Sequence, residues 1–202
     1  MSALPDTLVP TAPLSHSLAL KAASHATHER LDQRIMRCQP FASLPQYQRF
    51  LRLQWLFHWE LQPLFEHAGL QALLPDLGER QRLEAVAQDL ADLGAARPAA
   101  PARAPATAGL SLDQALGWFY VAEGSNLGAA LLFKEAAALG LHAEHGARHL
   151  AGHPEGRLRH WRGFTSRLDA LSLAPEQIER MGGACRAAFE RVHALVAQEL
   201  EC

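Results

Sequence analysis

Cysteine is scarce in this chain: Cys38, Cys185 and Cys202 are its only three, widely spaced and without a CxxC pair. That pattern excludes a zinc-ribbon ligand set and a disulfide framework, and it suits a reducing compartment. Basic blocks are missing too. The 19 Lys and Arg and the 21 Asp and Glu are interspersed for a formal charge of −2, so no cationic stripe with interleaved aromatics offers itself to nucleic acid. No apolar run approaches the roughly 20 residues that a membrane span needs. The N-terminal MSALPDTLVPTAPLSHS has neither the basic start nor the apolar stretch of a signal peptide. These absences predict a soluble, cytoplasmic protein with no nucleic-acid partner and no membrane span.

Strand chemistry is equally thin. The chain has two isoleucines and five valines, and no segment alternates apolar and polar residues over strand length. Helical spacing is what it does show, and 49% hydrophobic residues suffice for a real core. Residues 1–13, with Pro5, Pro10 and Pro13, read as a loose arm, and 14–202 as one all-α domain of six to eight helices. The first helix runs to about Arg37 before Pro40. Ser43-Leu-Pro45 opens a second, aromatic helix continuing to about His67, with a kink at Pro63. A third spans about Gly78 to Leu93. The Pro/Ala-rich stretch 94–110 reads as an extended linker rather than a packed element. Ser111 caps a long apolar helix that Gly140 ends, and two more helices follow over roughly 157–171 and 175–200.

Several metal sites are absent. There is no HExxH, and Glu190-Arg-Val-His193 is the only Glu-x-x-His pair where a di-iron bundle needs two. His142, His145, His149, His153 and His160 have no constant ligand spacing and read as exposed or loosely packed. SHATHERLD, residues 24–32, differs: Lys21, His28 and Asp32 share one helix face. A carboxylate at i+4 can hold one imidazole N–H and leave the other nitrogen to ligate iron. A surface His-Asp pair on an amphipathic helix has the same spacing.

FYVAEGSNLGAALLF, residues 119–133, places Gly124 and Gly128 inside an apolar helix, where each glycine costs about 1 kcal/mol relative to alanine. Two glycines at i, i+4 bare one strip of backbone. That strip serves either close helix packing or the approach of a large flat ligand.

With these pieces in place, the chain resembles the bacterial heme oxygenase family. The likeness runs from about Leu18 to Leu200. HERLD (28–32), QPFAS (39–43), LQWLFHWELQPLF (53–65), DLADLG (89–94), ALGWFYVAEGSNLGAALLFKEAAAL (115–139), GARHL (146–150) and WRGF (161–164) carry it. It implies an all-α fold sandwiching heme between a proximal helix and a kinked distal helix. His28 is then the axial iron ligand with Asp32 behind it, and Gly124 and Gly128 lie over the heme. Asn126, His58, Gln54 and Trp161 match distal-pocket positions that hold ordered water. Ser125 stands where some other heme oxygenases have a water-ordering aspartate. Lys21 and Tyr120 match propionate-binding positions, which implies cleavage at the α-meso carbon.

The implied activity is the opening of heme to biliverdin IXα, carbon monoxide and ferrous iron, with heme as both substrate and cofactor and O2 as oxidant. No flavin or nicotinamide fingerprint is present, because the glycines of GSNLGAA follow no strand. Electrons then come from an external ferredoxin- or flavodoxin-type reductase system. Product use divides between iron acquisition and supply of a biliverdin-using photoreceptor. A non-enzymatic heme carrier on the same fold is the alternative expectation.

Overall fold

The structure, a computed structural model, describes residues 15–200. The expected arm and Cys202 lie outside the described residues. Among the described residues there are eight α-helices and two 3₁₀ turns, with no strand. The helices are α1 (His16–Arg37), α2 (Leu44–Glu60), α3 (Gln62–Phe65), α4 (Ala68–Leu73), α5 (Leu83–Asp92), α6 (Leu112–Ala138), α7 (Arg157–Asp169) and α8 (Pro175–Glu199).

Helix starts follow capping chemistry. Ser15 accepts from the Leu18 N–H, Ser43 accepts from the Gln46 N–H ahead of Pro45, and Ser111 exchanges bonds with Gln114. The second helix stops at Glu60, earlier than its aromatic pattern predicts, and α3 restarts it with Pro63 in its first turn. Proline lacks the N–H for the bond to Trp59 and its ring would meet that carbonyl, so a break replaces the expected kink. The third helix also shortens: Leu77–Arg80 is a 3₁₀ turn and α5 begins only at Leu83.

Helix α8 is the floor of the molecule, packing most extensively on α6 and then on α1. It buries Met181, Cys185, Ala188, Phe189, Val192, Leu195 and Val196 along one stripe. Helix α1 answers with Leu20, Ser24, Thr27 and Leu31, at spacings of three and four residues. The first half of α6, Ala115 to Glu123, is buried all round, whereas Gly124 onward emerges toward solvent. Helix α2 supplies the aromatic core through Tyr47, Phe50, Trp55 and Phe57.

The stretch 94–110 is packed, contrary to its linker-like composition. The Glu60 carboxylate, 0% exposed, accepts from the Arg103 guanidinium, from the Ala106 N–H at 2.7 Å and from Arg191 Nε at 2.7 Å. Thr107 donates to the Glu60 carbonyl, and Arg97 and Arg103 lie over the Trp55 and Trp59 rings. A single buried acid therefore ties the loop to α2 and α8. Cys185 is a buried free thiol.

Burial pushes the Glu60 pKa up, but the Arg103, Ala106 and Arg191 bonds together hold it below the ordinary carboxylate value. Its stabilisation is thus complete above the carboxylate range and disappears as pH falls through the lowered pKa. Glu60→Gln should cost roughly 3 kcal/mol in urea denaturation at pH 7, as for a buried ion pair broken from one side. The same substitution should open the peptide bond after Arg103 to limited trypsin digestion.

Candidate functional site

Two helices that do not pack along their length, α1 and α6, both rest on α8. Cys185 of α8 lies between them: its thiol is near Ser24 of α1, and its backbone N abuts Gly117 of α6. At one end the helices meet, where the Tyr120 hydroxyl donates to the Ser17 carbonyl at 3.4 Å. The second half of α6 then leaves the core; the face of α8 between it and α1, called the cleft below, is where a ligand held by both helices would sit.

His28 stands on the α1 wall. Its Nδ1 lies 3.1 Å from Asp32 Oδ2, and its ring sits edge-on to Phe189 of α8, centroids 5.5 Å apart. A carboxylate beside Nδ1 favours a proton there, the arrangement in which Nε2 is the nitrogen available to a metal. Lys21, two turns earlier, is exposed and has no ion-pair partner among the described residues. Ser17 precedes Lys21 by one turn, so Lys21 and Tyr120 share one end of the cleft.

The glycines of α6 divide by what a methyl group would meet. At Gly117 a Cβ would fall 2.2 Å from the Met181 carbonyl and 2.8 Å from the Cys185 N, so this glycine is required by helix packing. At Gly124 the nearest atoms are Trp161 ring carbons at 3.9 Å, an ordinary contact, and at Gly128 nothing lies within 4 Å. Helix packing thus explains Gly117 but neither Gly124 nor Gly128. The α-helix runs unbroken through both of them.

Behind the strip lies a polar layer. Asn126 Nδ2 reaches Glu123 Oε1 at 3.5 Å, and its carbonyl accepts from Arg157 at 2.9 Å. Ser125 donates to the Ala122 carbonyl at 2.7 Å, so its hydroxyl presents only lone pairs outward. Trp161 packs edge-on to Tyr120, with ring centroids 5.2 Å apart, and lines a small cavity with Arg82, Glu123, Asn126, His153, Arg157 and His160. His58 is buried on α2, with half-buried Gln54 one turn before it. Burial foremost, then His149 and Arg82 nearby, lower the His58 pKa to about 3. The imidazole is neutral at physiological pH.

Sequence reading missed the charges that support this layer. Arg80 and Glu123 form an ion pair at 1% and 2% side-chain exposure, and Arg80 also binds Asp76 at 2.7 Å. Burial raises the Glu123 pKa against the pull of Arg80. His149 and His160, read as loose, are buried. Asp89 accepts from His149 N and Nδ1 at 3.0 and 2.8 Å, leaving His149 Nε2 without a partner. His160 stacks on His153 at 4.4 Å and 5°, and burial, Arg80 and His153 depress its pKa to about 4. Acidic and basic residues at remote positions pair only through the fold. The sole advance signal was that Asp89 and His149 fall inside the family-like stretches DLADLG and GARHL.

An imidazole beside the Asp32 carboxylate, a strip of α6 backbone that packing leaves bare, and an exposed ammonium without an ion-pair partner among the described residues are groups that a flat, iron-bearing ligand would use. The comparisons agree with that class. The heme oxygenase family model matches residues 14–198. Heme oxygenase PigA of Pseudomonas aeruginosa is 40% identical over 188 residues, covering 92% of this chain and 94% of its own. The NO- and CO-bound heme oxygenase of Neisseria meningitidis superposes with a TM-score of 0.87 at 41% identity, over 94% of each chain. This chain belongs to the heme oxygenase family and is a heme-degrading enzyme. Among the described residues, no helix is long and apolar enough to cross a membrane.

Two stability tests follow from this geometry. Without ligand, Gly124→Ala and Gly128→Ala should each raise stability by up to about 1 kcal/mol, the helix-propensity gain, whereas Gly117→Ala should lower it by about 1–3 kcal/mol through overpacking. Thermal melts of the three variants read this directly, and stabilisation by Gly117→Ala would contradict it. The second concerns pH. Histidines with folded pKa values depressed below the ordinary 6.5 bind protons only on unfolding, so stability should fall as pH drops from 6.5 toward 4. Replacing His160 by Gln should flatten that slope in denaturant titrations across the range.

Proposed function

We propose that the cleft seats heme with His28 Nε2 toward the iron and the propionates toward Lys21 and Tyr120. In that seating the enzyme opens the ring at the α-meso carbon to give biliverdin IXα, carbon monoxide and ferrous iron. The observation that carries the reading is the pairing of an Asp32-oriented His28 with a helix strip that packing leaves unexplained at Gly124 and Gly128. Heme bound here supplies the iron centre for O2 and is itself the molecule opened. Neutral histidine ligation leaves the opposite face available, and distal polarity and access decide its chemistry.

Each residue then has a defined task. Asp32 fixes the His28 tautomer and ring plane. Gly124 and Gly128 let the ring approach the helix backbone, with Trp161 limiting the space beside Gly124. Asn126, Gln54 and neutral His58 offer donors and acceptors for ordered water, and Ser125 offers acceptors only. Lys21 gives the propionates a charge-assisted contact. The Tyr120 hydroxyl joins it by turning from Ser17, a change made easy by the 3.4 Å length of that bond. Electrons come from a separate ferredoxin- or flavodoxin-type reductase system, and the reaction runs in the cytoplasm.

Hemin titration should give a saturable one-to-one Soret change. His28→Ala should remove the histidine-ligated spectrum and turnover, and Asp32→Ala should cost roughly 10–100-fold in affinity or rate. With ascorbate or a ferredoxin couple, the Soret band should decay as biliverdin absorbance rises, and HPLC should show mainly the α isomer. Mainly β or δ product would refute the assigned orientation. Heme retained intact under reductant would mark a carrier instead.

A further inference from the structure

The first turn of α1 is held by a group that the preceding reading leaves without a role. Asp169, the last residue of α7, accepts from the Ser17 backbone N–H at 2.7 Å and from Ser17 Oγ at 2.8 Å. His16 Nε2 meets the Leu171 carbonyl alongside at 2.8 Å. A carboxylate at a helix N-terminus satisfies an orphan N–H and opposes the positive end of the helix dipole. The Ser17 carbonyl, in turn, takes the Tyr120 hydroxyl. Asp169 is close enough to Tyr120 to contribute, after burial and Cys185, to raising the phenol pKa to about 12. Lys21 follows Ser17 by one turn.

One carboxylate therefore fixes the turn from which Lys21 projects and against which Tyr120 rests. Holding α1 in the fold does not depend on it. Leu20 and Leu31 are buried against the core, and at the far end Arg34 donates to the His193 carbonyl at 3.4 Å. What Asp169 contributes is register at the Lys21–Tyr120 end of the cleft.

We propose that Asp169 is a positioning residue for heme seating: by clamping Ser17 it sets Lys21 against Tyr120, and so decides which way round the propionate edge is held. This rests on the heme oxygenase reading above and deepens it. Asp169 touches neither heme nor O2; it acts through the α1 backbone.

The test uses the whole protein with hemin. In the ferric cyanide complex, the heme-methyl NMR resonances report seating without any turnover, and HPLC after ascorbate reports the isomers. Asp169→Ala should raise the minor-to-major seating ratio about threefold or more, a modest change because water competes for an exposed carboxylate. The biliverdin isomer ratio should shift in step. Asp169→Asn, nearly the same shape and still able to accept one bond, should shift both ratios less, and it carries the test if the alanine variant does not fold. Arg34→Ala loosens the other end of α1 and should leave both ratios at the parent value. Parent-like ratios in both Asp169 variants, or an equal shift in Arg34→Ala, would overturn the inference and leave the heme reading intact. A parent protein that binds no hemin would overturn the heme reading itself.

Discussion

The close approach of α6 and α8 at Gly117 is the contact on which the rest of the architecture depends. A hydrogen stands there because any Cβ would collide with the Met181 carbonyl and the Cys185 N. Backbones that near bring Cys185 under Tyr120 and leave Phe189, one turn on, to meet His28. The floor of the cleft is thus set by packing, and the walls take their positions from it. Because α1 and α6 each rest on α8 rather than on one another, α8 sets their positions beyond Tyr120.

Buried charge performs a second structural task. Glu60 collects the 94–110 loop, Arg80 and Glu123 fasten the Leu77–Arg80 turn to α6, and Asp89 gathers His149 and Arg148. Desolvating such groups is expensive and is offset only where their hydrogen bonds are made. Their value here is positional. Glu123 immediately precedes Gly124, so the point where α6 leaves the core is pinned by an ion pair that water barely reaches.

Helix order, the all-α class and the His28–Asp32 pair were legible because they depend on local spacing and capping. The glycine strip was legible as an anomaly, but sequence could not separate ligand approach from helix packing. Only the neighbours of Gly117, Gly124 and Gly128 distinguish those causes. The 94–110 loop was misread because prolines and alanines look the same in a tether and in a packed loop. Its anchor, Glu60, lies more than thirty residues earlier. His149 and His160 were misread for a similar reason: burial of a polar side chain depends on a partner that the fold brings from elsewhere.

The two glycines also bear on stability. Together they weaken α6 by about 2 kcal/mol relative to alanine. No protein contact at Gly128, and only an ordinary one at Gly124, offsets this loss in the free chain. A ligand bound only by the folded state, at one hundred times its dissociation constant, contributes about 2.7 kcal/mol. A ligand held in that way would thus restore slightly more than the glycines remove. The weakness lies beyond the Glu123 anchor, so loosening of this half of α6 need not disturb the α8 interface at Gly117. A helix that is rigid at its root and weaker beyond it can change shape without unfolding the core.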